Sequence, residues 1–310
     1  MKYKKVVYIV VIVAIIAIGT IYWYYTVATQ KISGTIEIDG SSTVFPITQA
    51  VAEEFQKSHP EVRVNVGISG TGGGFKRFTM GETDISDASR PIKASEAQTA
   101  AQNGIEYIEF QVAIDGLAIL VNPSNTWVNY MTVQELNMTW QPGSTVYNWN
   151  DIRPEWPNQP IHLYGPGTDS GTFDYFTEVI VGKEDASRPD YTASEDDNVL
   201  VQGIAGDPNA LGYFGYAYYA ENTDKLKIVP IDSGNGPVTP SDQTINAGQY
   251  TPLSRPLFIY INKESIKRPE VKAFVRFYME NAEQIVAEVG YTPLPTSVYQ
   301  ENLSKLEQQP

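Results

Sequence analysis

The stretch TIEIDGSSTVFPITQAVAEEF, residues 35–55, decides the fold. Thr35–Asp39 alternates apolar and polar side chains, the period of a strand with one buried face. Ile47, Val51 and Phe55 recur four residues apart, so Ile47–Ser58 reads as a helix with one apolar stripe. Gly40-Ser41-Ser42-Thr43 joins them. Strand, hydroxyl-rich turn and helix make up half of a βαβ unit, and the pattern recurs outward along the chain. Further strands are expected at Val62–Val66, Ile105–Ile108, Leu117–Asn122, Ile161–Tyr164, Leu226–Val229 and Leu257–Asn262. Glu270–Val289 reads as a long helix with Val271, Phe274, Phe277 and Tyr278 on one face. Strands separated by helices predict an α/β fold with mainly parallel sheets, whose ligands sit beyond the C-terminal ends of strands. Ile231–Thr251, rich in Gly, Pro, Ser and Asn, reads as a long surface loop. Tyr-rich LGYFGYAYY, 211–219, reads as packing and a helix start.

Composition narrows the chemistry. The 310 residues carry 22 Lys plus Arg and 36 Asp plus Glu, a net charge of −14. That balance excludes a nucleic-acid binder, which would neutralise phosphates with Lys and Arg. Forty-two percent apolar residues can fill a core, and the length suits about two domains. There is no cysteine, which excludes disulfides, thiolate nucleophiles and Cys-ligated zinc. His59 and His162, far apart, make a histidine metal site hard to assemble; no metal and no cofactor are expected. Met1–Lys5 carries three lysines, and Val6–Tyr25 carries no charge and ends in aromatic residues. Twenty residues at ~1.5 Å each span the hydrocarbon thickness of a bilayer. Residues 1–29 are therefore expected to be one N-terminal transmembrane helix with the rest of the chain outside the cell membrane. The alternative is a leader cleaved near Thr26-Val27-Ala28.

Four segments carry the candidate chemistry. They are Gly40–Thr43, Ser69-Gly70-Thr71-Gly72-Gly73-Gly74, Asp87-Ala88-Ser89-Arg90-Pro91, and Gly165-Pro166-Gly167-Thr168-Asp169-Ser170-Gly171-Thr172. Glycine lets the backbone approach a ligand, helix N-termini present unpaired N–H groups, and Ser and Thr hydroxyls add rotatable donors. Such turns can surround a small tetrahedral oxyanion without lysine. Taken singly, each is also an ordinary helix cap. Neither the Walker spacing nor a full G-x-G-x-x-G occurs, which disfavours nucleotides. Arg90 is the one arginine within these segments, and its planar fork suits an oxyanion. A carboxylate beside the site would accept the proton of hydrogen phosphate and repel sulfate, which has none at neutral pH. Asp174 reads instead as a first-turn helix residue.

Taken in order, IDGSSTVFPITQAVAEEF (38–55), VNVGISGTGGGFKRF (64–78), DISDASRPI (84–92), VAIDGLAILVN (112–122) and YGPGTDSGTFDYF (164–176) resemble the phosphate-binding proteins of phosphate ABC transporters, the PstS type. The resemblance implies a two-lobed type II periplasmic-binding-protein fold that closes on one phosphate and delivers it to a permease. It implies donors from Ser42, Thr43, Ser69 or Thr71, and Ser170, Gly171 and Thr172. In some family members an aspartate stands in place of Ser89, and an arginine where this chain has Pro166. Arg90 is therefore expected to supply the charge, with Asp169, then Asp115, then Asp87 as candidate proton acceptors. Hinge crossings are expected near Asp115–Leu120 and Ser254–Tyr260. The lobes would then be 34–115 with 258–310, and 118–255, in a monomer. Two other classes remain open. One is a serine hydrolase or phosphatase using Ser42 or Ser170 with His162 as base; the other is a membrane-anchored oxyanion sensor.

Overall fold

The structure, a computed structural model, describes residues 32–168, 170–194 and 196–309. The expected membrane segment 1–29 and Asp169 lie outside the described residues. Among those described, no helix is long and apolar enough to cross a membrane.

The strands are β1 Gly34–Gly40, β2 Val62–Ile68, β3 Ile85–Ala88, β4 Tyr107–Val121, β5 Met131–Thr132, β6 His162–Gly165, β7 Thr192–Ala193, β8 Ala210–Gly215, β9 Lys227–Ile228, β10 Ile231–Asp232, β11 Pro237–Val238 and β12 Ser254–Asn262. Nine of them form one sheet in the order β2-β1-β3-β12-β4-β8-β6-β7, with β9 also on β4; β11-β10-β5 is a small second sheet. The sheets are mixed, which corrects the expectation of mainly parallel pairing. β1 runs parallel to β2 and β3, and β6 to β7 and β8, whereas β12 and β4 are antiparallel to each other and to β3 and β8 respectively. The returning chain inserts β12 into the middle of the sheet, which reverses direction there. The small sheet and a short helix, Asp242–Asn246, occupy part of the stretch read as a surface loop.

β4 is one strand of 15 residues where two were expected. Asp115 and Gly116 look like strand breakers, but they pair with Arg255 and Ser254 of β12, so the backbone passes through without a turn. Residues 107–116 pair with β12, and 117–121 pair with β8. The strand thus belongs to both halves of this two-domain fold.

Alternation along β12 shows how the first half is layered. Leu257, Ile259 and Ile261 face the main core, while Phe258 and Tyr260 join Phe75 and Phe78 in a second cluster on the other face. The main face is covered by helices Phe45–Ser58 and Pro269–Glu288, with Phe55 edge-on to Phe274. The long helix buries Val271, Phe274, Val275, Tyr278, Met279, Ala282, Ile285 and Val286, a single stripe at three- and four-residue spacing. The opposite face is covered by helix Gly70–Phe78. Its glycines form the first turns of the helix itself. Gly74 is where that helix meets β1: a Cβ there would lie 2.5 Å from the Cα of Gly40.

Candidate anion-binding site

Parallel pairing of β1 with β2 and β3 sets Gly40 beside Ile68 and Asp87. The turns that follow the three strands therefore emerge at one edge of the sheet. The Ser41 N–H donates to the Asp87 carbonyl (3.0 Å), and the Ser69 N–H to the Gly40 carbonyl (3.2 Å), tying the turns together. Beyond that edge lies a cavity of about 640 Å³. Ser42, Thr43, Ser69, Thr71, Ser89 and Arg90 all line it, together with Ser41, Gly70, Gly72 and Gly73. The opposite wall comes from the helical segment after β6, through Asp174, Tyr175, Glu178 and Val179, and from Glu184 on the loop that follows it. Arg255 stands between the walls.

The hydroxyls are held in place. Thr71 Oγ1 accepts from the Ser89 N–H (3.1 Å) and lies 3.0 Å from Ser89 Oγ. The Ser41 hydroxyl oxygen accepts from the Thr43 N–H at 3.2 Å. At the start of helix Phe45–Ser58 the Phe45 and Ile47 N–H groups donate to the Ser41 and Val44 carbonyls, 3.0 Å each, and Pro46 has none, whereas Gly70, Thr71 and Gly72, the first residues of helix Gly70–Phe78, line the cavity.

The second-half turn is placed differently from expectation. Ser170 and Thr172 are not among the residues lining the cavity; Ser170 is a helix N-cap whose hydroxyl oxygen accepts from the Thr172 N–H, 3.2 Å. Gly171 packs directly on the first half: a Cβ there would lie 2.9 Å from Thr43 Oγ1 and 3.0 Å from its Cα. A larger residue would wedge the walls apart.

Two arginines line the cavity. Arg90 donates from both terminal nitrogens to Glu96, at 2.9 and 2.8 Å, and its guanidinium lies over Phe75. Glu96 also accepts from the Lys93 N–H, so this pair belongs to the start of helix Ala94–Gln102. Arg255, which the motifs did not point to, donates to Thr43 Oγ1 at 2.8 Å and stacks 3.8 Å from the Tyr175 ring centroid. Its carboxylate partners are more distant, Asp115 at 3.3 Å and Glu178 at 3.6 Å. The guanidinium is thus fixed by stacking, by the Thr43 hydroxyl and by the longer hydrogen bond to Asp115, and its ion pairs are looser than the two-pronged one between Arg90 and Glu96. A signal for it existed: the two expected hinge crossings carry an aspartate and an arginine, opposite charges that the antiparallel register sets side by side.

The carboxylates also sort differently. Asp87 and Asp115 are buried and do not line the cavity. Burial pushes the Asp87 carboxyl up to about 8, offset in part by the Thr48 hydroxyl. Burial also raises Asp115, against the pull of Arg255. Asp174, expected only to cap its helix, reaches into the cavity because the helix turns that residue toward Ser42, whose hydroxyl donates to it at 3.3 Å. Burial first, then repulsion by Asp185 and Glu184, lifts its carboxyl to about 6. Neither histidine serves the site: His162 Nδ1 lies 2.6 Å from Asp207, and His59 stacks on Phe55.

Comparison with known proteins matches these observations. The PBP superfamily domain covers residues 26–282. SphX of Synechocystis sp. is 49% identical over 280 residues, 89% of this chain and 83% of its own length. The phosphate-binding protein PstS of Staphylococcus saprophyticus is 39% identical, covering 89% and 86%. Among solved structures, a possible phosphate binding protein from Planctomyces limnophilus superposes with a TM-score of 0.86 at 53% identity, covering 90% of this chain and 99% of that one. An ABC-type phosphate transport receptor from Vibrio cholerae superposes with a TM-score of 0.66 at 25% identity, covering 84% and 100%. With its divided sheet, its hydroxyl-lined cleft and these relatives, the chain belongs to the PBP superfamily, in the family of the PstS and SphX proteins.

Proposed function

We propose that the chain captures inorganic phosphate between its two halves on the outer side of the cell membrane and hands it to an ABC permease, without chemical turnover. The observation that carries this reading is the convergence of Thr43, Ser69, Thr71 and Ser89 from three strand ends, with Arg255, on one cavity. The hydroxyls and helix-start amides replace the hydration shell of the anion, and Arg255 supplies the charge. The net −14 repels anions at long range, but salt screens that field beyond ~8–10 Å and leaves the local donors in control. The lobes would be 34–115 with 258–310, and 118–255, turning about β4 and β12, with residues 1–29 as anchor. The names of the relatives support the ligand and the transporter. Calorimetric titration with phosphate tests it: saturable binding well below about 1 mM is expected, and none at that concentration would overturn it.

A further inference from the structure

We propose that the donor wall takes an anion only while the Asp87 carboxyl behind it holds a proton, so that anion binding and proton binding are coupled through that buried side chain. This rests on the oxyanion reading above and adds a control on that same site.

Asp87 stands near the end of β3, two positions before Ser89 of the cavity. Its backbone belongs to the wall. Its carbonyl accepts from the Ser41 N–H at 3.0 Å, and Gly40 presses so close that a Cβ there would lie 2.1 Å from that carbonyl oxygen. Its side chain takes no part in the cavity. Strand alternation puts it on the face of Ile85, in the main core, beneath the first turns of helix Phe45–Ser58. Neither carboxyl oxygen has a hydrogen-bond partner among the described residues. The Thr48 hydroxyl is engaged with that of Tyr278 at 3.3 Å and offsets the burial only in part.

Ionising such a group leaves a buried charge without a counter-ion, so the neutral carboxyl is the form that fits. The titratable groups that face it are Asp39 on β1 and Tyr278 on helix Pro269–Glu288; helix Phe45–Ser58 contributes Thr48 and β12 contributes Ile259, neither of which titrates. Asp39 is like-charged and favours the proton on Asp87, and burial keeps the Tyr278 hydroxyl neutral. An anion at the wall is a second negative charge across the same strand ends, in surroundings of low polarity. It makes the loss of the Asp87 proton costlier still. By reciprocity, an ionised Asp87 weakens the anion by the same factor. With the carboxyl held up at about 8, the wall is ready for an anion below that pH and must first regain a proton above it.

The test titrates phosphate calorimetrically into the full chain, wild type and Asp87→Asn, at about pH 7 and about pH 9, either side of the Asp87 transition. The wild type is expected to bind about tenfold more weakly at the higher pH, and the variant to change less than about threefold, since asparagine carries no proton to lose. Inorganic phosphate is already the dianion at the higher pH. The proton is read directly by infrared difference spectra at that pH: phosphate should bring up the C=O band of a protonated carboxyl in the wild type, and no such band in Asp87→Asn. A flat wild-type affinity, a variant that weakens in parallel, or a wild-type spectrum without the band overturns the proposal. If the variant does not fold, the wild-type profile and spectrum decide it alone. A wild type that binds phosphate while any of these failures occurs leaves the oxyanion reading standing; a wild type that binds none at either pH overturns both.

Discussion

The two walls of the cleft differ in kind. The first is built from the ends of three neighbouring parallel strands and presents hydroxyls, glycine and helix-start amides. The second is one helical segment with the loop that follows it and presents three carboxylates, Asp174, Glu178 and Glu184, with Tyr175 and Val179. An anion site with an acidic wall works only if charge and donors lie on the other side or between. The difference teaches that donors and negative charge enter the cleft from different segments: the first wall presents hydroxyls and amides, the second carboxylates, with Arg255 between them. Arg90, on the donor wall, has its charge answered by Glu96 at 2.8 and 2.9 Å, whereas Arg255 meets Asp115 and Glu178 only at 3.3 and 3.6 Å.

The most severe break of that contrast is Arg255→Ala. Loss of the cation between the walls should weaken phosphate binding by about 2–5 kcal/mol, thirtyfold or more, in a calorimetric titration. Arg90→Ala, measured beside it, should cost less affinity and more helix stability, because its fork serves Glu96. Equal losses of affinity would show that the two arginines act alike. A smaller effect follows from Gly74→Ala, which pushes a methyl onto the Gly40 backbone beneath the donor wall. Denaturant melts should show about 1–3 kcal/mol of destabilisation. Gly72→Ala, where a Cβ meets nothing within 4 Å, serves as the control and should show no such loss.

The last effect is a slope. Asp87 is buried behind the donor wall and its carboxyl is raised to about 8, against an ordinary aspartate near 4. The folded state thus keeps a proton that the unfolded state releases. This contribution to stability is fully present below about 4 and is lost as the pH rises toward 8. Asp87→Asn should flatten that part of the stability–pH curve; an unchanged slope would mean that Asp87 is ionised in the fold.

The donor wall was legible in the sequence because each of its pieces is local. A strand period, a run of Ser, Thr and Gly, and a helix period follow one another within about twenty residues, and Ser42, Thr43, Ser69, Thr71, Ser89 and Arg90 all come from such runs. The rest depends on pairing between distant segments. Arg255 reaches the cavity only because β12 returns to lie against β3 and β4, and no motif around Arg255-Pro256 announces that. Asp174 looked like a helix-start residue, as its position allows, and only the approach of Ser42 gives it a second task. β4 was read as two strands because Asp115-Gly116 breaks the local pattern, while the bonds that satisfy it lie 140 residues away.

β4 and β12 run side by side where the molecule divides, with Gly116 opposite Ser254 and Asp115 opposite Arg255. A swing of the halves about this pair, as proposed above, would leave its own residues almost still. The guanidinium would then be mounted on the axle of the molecule and not on either jaw, and would meet an arriving anion in the same place whatever the gape.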